Sequence, residues 1–168
     1  MAILKHISVK NRFYSSAVEY LTCQFDEYTN KPVLDEKGRI QERENYLIVG
    51  VNCDVDSFGA ECIEVNRLYG KNNSVKDVKA HHYIISFEPN DPITIEQALE
   101  FGKQWLSVFA PGHQAVVAVH PDGHNGSQNM HVHMVINSVR KYAGKQSRWH
   151  EKPCEWKLGC KHKSTGKM

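Results

Sequence analysis

The stretch His120–Asn137, HPDGHNGSQNMHVHMVIN, gathers the side chains of this chain best suited to chemistry. In a β-strand alternate side chains point to opposite faces. A strand over 130–137 therefore places His131, His133, Val135 and Asn137 on one face and Met130, Val132, Met134 and Ile136 on the other. The second set is wholly apolar and suits a face packed on helices. The first sets two imidazoles side by side, roughly 6–7 Å apart at their Cα atoms. Upstream, QAVVAVH (114–120) reads as a second strand with His120 at its end. The intervening PDGHNGSQN is rich in turn formers and favours a hairpin, which brings His120 to His131 and His133. Three neutral imidazoles from two adjacent strands make a metal site with room for substrate oxygens. Asp122 and Asn137 are candidates to orient a ligand histidine, Asp122 by accepting a hydrogen bond from its distal nitrogen. His124 is the rival third ligand, but it lies inside the loop, and His120 is preferred.

Such a site activates water for hydrolysis or acts as a Lewis acid on a phosphodiester. The second role needs a nucleophile and a means of holding nucleic acid. Residues 1–137 hold 12 Lys+Arg against 17 Asp+Glu, whereas 138–168 hold 9 against 2. The basic end is an electrostatic partner for phosphates. Arg140, Lys141, Lys145 and Arg148 carry the charge, and Trp149 offers a ring on which a single-stranded base can stack. Seven tyrosines are present. Tyr20 lies within a helix, and its spacing from Ala17 suits an ordinary core or boundary aromatic.

The elements that must position these residues are legible in order. Ile3 to Val9 reads as a strand. Ser16-x-x-Glu19 is a capping-box pattern opening the helix SAVEYLTCQ. Residues 26–45 are polar and turn-rich, an excursion or hairpin. YLIVGVNC (46–53) reads as a strand, and Ser57 caps a helix through Leu68 with Phe58, Cys62, Val65 and Tyr69 on one stripe. HHYIISFEP (81–89) is a strand. Thr94-x-x-Gln97 is a second capping box, opening a helix whose apolar residues recur at 3.6-residue spacing until Pro111-Gly112. The expected architecture is one α+β domain over 1–168, a mostly antiparallel sheet with helices on one face and the histidines on the open face. The abrupt basic end, 138–168, suggests a DNA-contacting segment of a longer protein. No apolar run is long enough to span a membrane. Five cysteines, odd in number and irregular in spacing, suggest reduced thiols in a cytoplasm.

The run VVAVHPDGHNGSQNMHVHMVINSVRK, following HHYIISFEP, resembles the relaxase (mobilization nuclease) family of histidine-hydrophobe-histidine endonucleases. More narrowly, it resembles the MobA-like relaxases of conjugative and mobilizable elements, which implies that the cytoplasm is bacterial. MAILKHISVKN and the helix AVEYL extend the resemblance over nearly all of 1–145. It implies that a tyrosine hydroxyl attacks one phosphodiester of single-stranded origin-of-transfer DNA, leaving a 5′-phosphotyrosyl adduct and a free 3′-hydroxyl. It also implies a divalent ion, Mn²⁺ or Mg²⁺, and as partners the DNA, accessory mobilization proteins and a coupling protein. Matching AVEYL to the family's first motif assigns the nucleophile to Tyr20, with Tyr14 and Tyr28 flanking it. Ten residues separate His120 from His131, more than in many relaxases, and His124 falls where a shorter loop would place the first ligand. Two other classes fit parts of the pattern. One is a rolling-circle replication initiator; the other is a metal-stabilised single-strand-binding or hydrolytic domain without a nucleophilic tyrosine.

Overall fold

The computed structural model describes residues 2–10, 14–26, 28–29, 31–122 and 129–142. Five strands, β1 (Ile3–Val9), β2 (Leu47–Val51), β3 (Ala80–Ser86), β4 (His113–His120) and β5 (His131–Arg140), form one antiparallel sheet in the order β1-β3-β5-β4-β2. Among the described residues three helices accompany it: α1 (Ser15–Thr22), α2 (Phe58–Leu68) and α3 (Ile95–Phe109). The expected hairpin of β4 and β5 is the centre of the sheet. Its register sets His120 opposite His131, Ala118 opposite His133 and Val117 opposite Met134.

Helix α3 forms where the periodicity is clearest and the capping box is complete. Gln97 N–H donates to Thr94 Oγ1 at 3.2 Å, and Thr94 N–H donates to Gln97 Oε1 at 2.9 Å. A cap of this kind contributes about 1 kcal/mol. The helix lays Ala98, Leu106 and its neighbours on Val117, Val119, Val132, Met134 and Ile136. Gly102 permits the close approach, because a Cβ there would stand 2.8 Å from the side chains of both Val117 and Val132. Each fully buried aliphatic side chain of this layer contributes about 1.5–3 kcal/mol.

The other face of the sheet is not open as expected. Leu21 of α1, with Tyr14 just before that helix, and Phe58 and Cys62 of α2 pack on Val116, Ala118 and Val135. Helices therefore cover both faces, and the histidines lie under one of these layers. Both strand faces supply buried apolar residues in the centre of the sheet, so neither can be left to water.

Two capping expectations differ from the structure in detail. α1 starts at Ser15 with Tyr14 as its cap, and no side chain caps it, so the Ser16–Glu19 box does not form. Tyr14 has helical dihedrals, φ −60 and ψ −26, which draws Ser16 into the first turn, past the position from which a hydroxyl can cap. Ser57 does precede α2, but its hydroxyl donates to Glu61 Oε1 at 2.6 Å instead of capping the backbone. The excursion after α1 is tied down by the bridges Cys23–Glu42, Phe25–Pro32 and Leu34–Ile40, which make it hairpin-like. Cys23, Cys53 and Cys62 are free thiols. No helix among the described residues is long and apolar enough to cross a membrane.

Candidate active site

The alternation of β3, β4 and β5 brings His82, His120, His131 and His133 to one end of the sheet, on the face beneath α1. Ring centroids of His120 and His133 are 4.5 Å apart, those of His131 and His133 6.2 Å, and those of His82 and His133 5.2 Å. His120 and His133 are 2% and 1% exposed. Burial in a low-dielectric site disfavours the charged imidazole. Desolvation, with the nearby Arg43 charge second, pushes His120 down to about 4, and desolvation likewise holds His133 well below the ordinary range. Near neutral pH both rings are uncharged, as a metal ligand must be.

Hydrogen bonds set the tautomers. His120 Nε2–H donates to the Leu21 carbonyl at 2.7 Å, which puts the lone pair of that ring on Nδ1. His131 Nδ1–H donates to the Asn129 carbonyl, which puts its lone pair on Nε2. His133 Nδ1 and His82 Nε2 share a hydrogen bond of 3.0 Å. His133 Nε2 is buried without a hydrogen-bond partner. An orphaned buried nitrogen costs about 1–3 kcal/mol unless something binds it. With His133 Nδ1–H as the donor to His82 Nε2, the His133 lone pair falls on Nε2, where a cation would remove that penalty. In that tautomer the donor chemistry fits a divalent ion. Among the described residues, however, no three His, Cys, Asp or Glu side chains are gathered into a ready-made metal site.

Tyr20 stands over this cluster. Its half-buried ring is 6.0 Å from His82 and 6.4 Å from His133, both edge-on, and 5.2 Å from Phe25. The helix turns that carry it are anchored by Leu21, fully buried one residue on. The two rival tyrosines occupy different surroundings. Tyr14 is 2% exposed, and its hydroxyl meets the Lys79 carbonyl at 3.0 Å, Asn137 Oδ1 at 3.2 Å and Asn66 Nδ2 at 2.7 Å. Tyr28 is 94% exposed in a turn.

The remaining expected site residues are dispersed. Asp122 is exposed just beyond β4, where its charge pulls the His120 value upward, the smaller influence there. Asn137 lies toward the far end of β5 and bonds Tyr14 and Gln114, away from the histidine cluster. Arg140 donates from Nε to the Pro111 carbonyl at 3.0 Å, and Lys141 pairs with Glu61 at 3.2 Å. His124, Lys145, Arg148 and Trp149 lie outside the described residues.

Two residues of the site escaped sequence reasoning. His82 was legible only as part of a strand; the signal was its alternate spacing with Ala80 and Ile84, which fixes its face. Arg43 comes from the polar excursion, where its backbone N–H donates to the Thr22 carbonyl at 2.9 Å. Its Nε is buried without a partner. A guanidinium beside neutral histidines, with a donor unused, is suited to an incoming phosphate.

The family model described as "Relaxase: MobA/VirD2-like, nuclease domain" matches residues 28–161. The match takes in every histidine of the cluster and Arg43, and begins after Tyr20. Protein rlx of Staphylococcus aureus is 36% identical over 103 residues, covering 61% of this chain and 30% of that protein. The group II intron-interrupted relaxase LtrB of Lactococcus lactis subsp. cremoris (strain MG1363) is 40% identical over 99 residues, covering 58% of this chain and 15% of that protein. The chain thus spans less than a third of the length of these relatives.

Proposed function

Because this chain belongs to the family of MobA/VirD2-like relaxase nuclease domains, we propose that it nicks one strand of DNA at an origin of transfer, with Tyr20 as the nucleophile. The observation that carries this reading is the ring of Tyr20 lying 6.4 Å from His133, whose Nε2 is buried and unpartnered. Tyr20 Oη forms a bond to phosphorus and the bond from phosphorus to the 3′-oxygen breaks. The phenol gives up its proton and the 3′-oxygen gains one. A 5′-phosphotyrosyl ester and a free 3′-hydroxyl result, and one phosphoester replaces another, so rejoining needs no ATP.

A phenol with a pKa near 10 is a poor nucleophile at neutral pH, so the site must stabilise the charge that develops. Arg43 contributes a guanidinium for the phosphate oxygens, positioned before the reaction begins. His120, His131 and His133 would hold a divalent ion, Mn²⁺ or Mg²⁺, which when bound supplies Lewis-acid polarisation of the phosphate. An all-imidazole set favours Mn²⁺ of the two, since Mg²⁺ prefers oxygen ligands. His82 holds the His133 ring in orientation. Arg140 is 5% exposed with its Nε donating to the Pro111 carbonyl, so the basic segment beyond it, with Lys145, Arg148 and Trp149, extends the surface for the single strand. Accessory mobilization proteins and a coupling protein complete the expected partners.

The test is an origin oligonucleotide labelled on the 3′ side of the nick, incubated with Mn²⁺ and run on a denaturing protein gel. Wild type should carry the label as a heat-stable shifted band, and Tyr20→Phe should not. An adduct on Tyr20→Phe would reassign the nucleophile.

A further inference from the structure

A cavity of about 290 Å³, which the nicking chemistry does not use, lies between the end of α2 and the turn that follows it. Ile63, Asn66, Arg67, Lys71 and Asn73 line it, together with Tyr14, which packs on the histidine-bearing face of the sheet. Its walls are built firmly. α2 closes on Gly70 in the left-handed region (φ +60), with Lys71 N–H returning to the Asn66 carbonyl at 2.8 Å. Gly70 N–H returns to the Arg67 carbonyl at 3.2 Å, and such closures fix a helix end. Asn72 Nδ2 then ties the turn to Ser138 of β5 at 3.0 Å. The Tyr14 hydroxyl is held from below by its bonds to Lys79 and Asn137.

The chemistry of the cavity is that of a flat ligand carrying negative charge. Among the described residues, three cations line it (Arg67, Lys71 and Lys79) and no carboxylate does. Lys79 is committed to the carbonyls of Ser74 and Asp77. Exposed Arg67 and half-buried Lys71 make no ion pair among the described residues. Asn66 is 6% exposed, and its Oδ1 has no partner. Ile63 and the lysine and arginine stems give the apolar wall on which an aromatic ring can rest. The volume is at the small end for ligand sites, which run from about 300 Å³ upward, and so suits a single unit of a chain. Six residues of helical rise separate Tyr14 from Tyr20, on the order of 9 Å, so a strand lying along α1 can reach both.

We infer that this cavity holds one nucleotide of the DNA single strand, its base against Ile63 and its phosphate on Arg67 and Lys71. The inference rests on the nicking reading above, which supplies the strand. Three proteins decide it: wild type, the double variant Arg67→Ala/Lys71→Ala, and Ile63→Trp, which fills the cavity. All three replaced side chains are surface or half-buried, and thermal melting checks that each variant folds. Binding of a fluorescein-labelled mixed-sequence single strand is followed by anisotropy across a salt series, with adduct formation measured on the same samples. The double variant should bind about tenfold more weakly, with a salt slope shallower by about 0.7–1.4 for one or two lost phosphate contacts. Ile63→Trp should weaken binding by about tenfold at an unchanged slope, since it excludes the base and leaves the charge. If wild type binds and forms the adduct while both variants bind equally well, the cavity is not a nucleotide site and the nicking reading stands. If Ile63→Trp alone matches wild type, the strand crosses the rim without entering, which also overturns the inference. If wild type neither binds single strands nor forms the adduct, both fall.

Discussion

His82 Nε2 lies 3.0 Å from His133 Nδ1, a bond between two buried rings on neighbouring strands. The register makes it possible: His82 pairs with Val135 and Ile84 with His133, so the two histidines are diagonal neighbours on one face. Either ring can donate in this bond, and when His133 Nδ1–H donates to His82 Nε2 the His133 lone pair is left on Nε2, free for a cation. His82→Ala should therefore weaken Mn²⁺ affinity by about 10–100-fold, the usual cost of removing the group that orients a ligand. Titration calorimetry checks the affinity, and nitrogen-15 NMR of the imidazoles checks the tautomer of His133. His82→Gln, which can still reach a ring nitrogen, should recover part of both. Unchanged affinity in His82→Ala would remove His82 from the site.

Arg43 is expected to act on the phosphate and not on the fold. Its Nε is buried and unpartnered, so removing it leaves no partner stranded. Arg43→Ala should slow adduct formation by about 10²-fold or more, the scale for losing one preorganised donor to a developing charge. Thermal stability should hold or rise slightly. Arg43→Lys should rescue poorly, because a point charge cannot reproduce the guanidinium fork. A single-turnover rate equal to wild type would show that the phosphate is held elsewhere.

The strands, the three helices and the β4–β5 hairpin were legible in the sequence because each has a short-range signal. Alternation marks β5, the Thr94–Gln97 box and the 3.6-residue period mark α3, and turn residues mark the connection. What the sequence concealed depends on pairings across long separations. Nothing local says that β3 lies beside β5, so His82 could not be read as a neighbour of His133. Arg43 reaches the histidines only because the 23–42 bridge folds the excursion back on α1. The second helical layer was missed because Val116, Ala118 and Val135 share their face with histidines, which made that face look polar. Ser16 misled for a related reason: Tyr14, held in the core by its hydroxyl, caps α1 two residues before the cap the pattern suggests.

Acid should expose the role of Glu61. Its carboxyl is held down to about 2, chiefly by the Ser57 hydroxyl and the Asp54 N–H, with Lys141 adding to this. A folded value below the unfolded one means stability that is fully present above about pH 4.3 and is lost as pH falls toward 2. The side chain is a quarter exposed, so solvent screening limits the effect to about 1 kcal/mol or less. Glu61→Gln should lower the melting temperature at pH 7 by at most about 2–4 °C. It should also flatten the fall in stability between pH 4 and 2 in circular dichroism melts. A variant whose acid profile matches wild type would show that Glu61 is not the group titrating there.

Tyr14 and Tyr20 sit six residues apart and should answer mutation in opposite ways. The Tyr14 hydroxyl joins α1 to Asn66 of α2, to the Lys79 carbonyl before β3 and to Asn137 of β5. Burial pushes that hydroxyl far above the ordinary phenol range, so it does not ionise at any working pH. Tyr14→Phe keeps the ring but strands those polar groups in the interior, at a cost of about 1–3 kcal/mol. The melting temperature should drop by several degrees, while the folded fraction still forms the covalent adduct at saturating DNA. Tyr20 is half-buried, and its ring contacts with Phe25, His82 and His133 survive loss of the oxygen. Tyr20→Phe should therefore melt within about 0.5 kcal/mol of wild type, as substitutions away from buried networks do, and form no adduct. Melting curves and denaturing gels on the two variants give four readings, and the reading expects one loss in each. An adduct missing from Tyr14→Phe but present on Tyr20→Phe would exchange the roles of the two tyrosines.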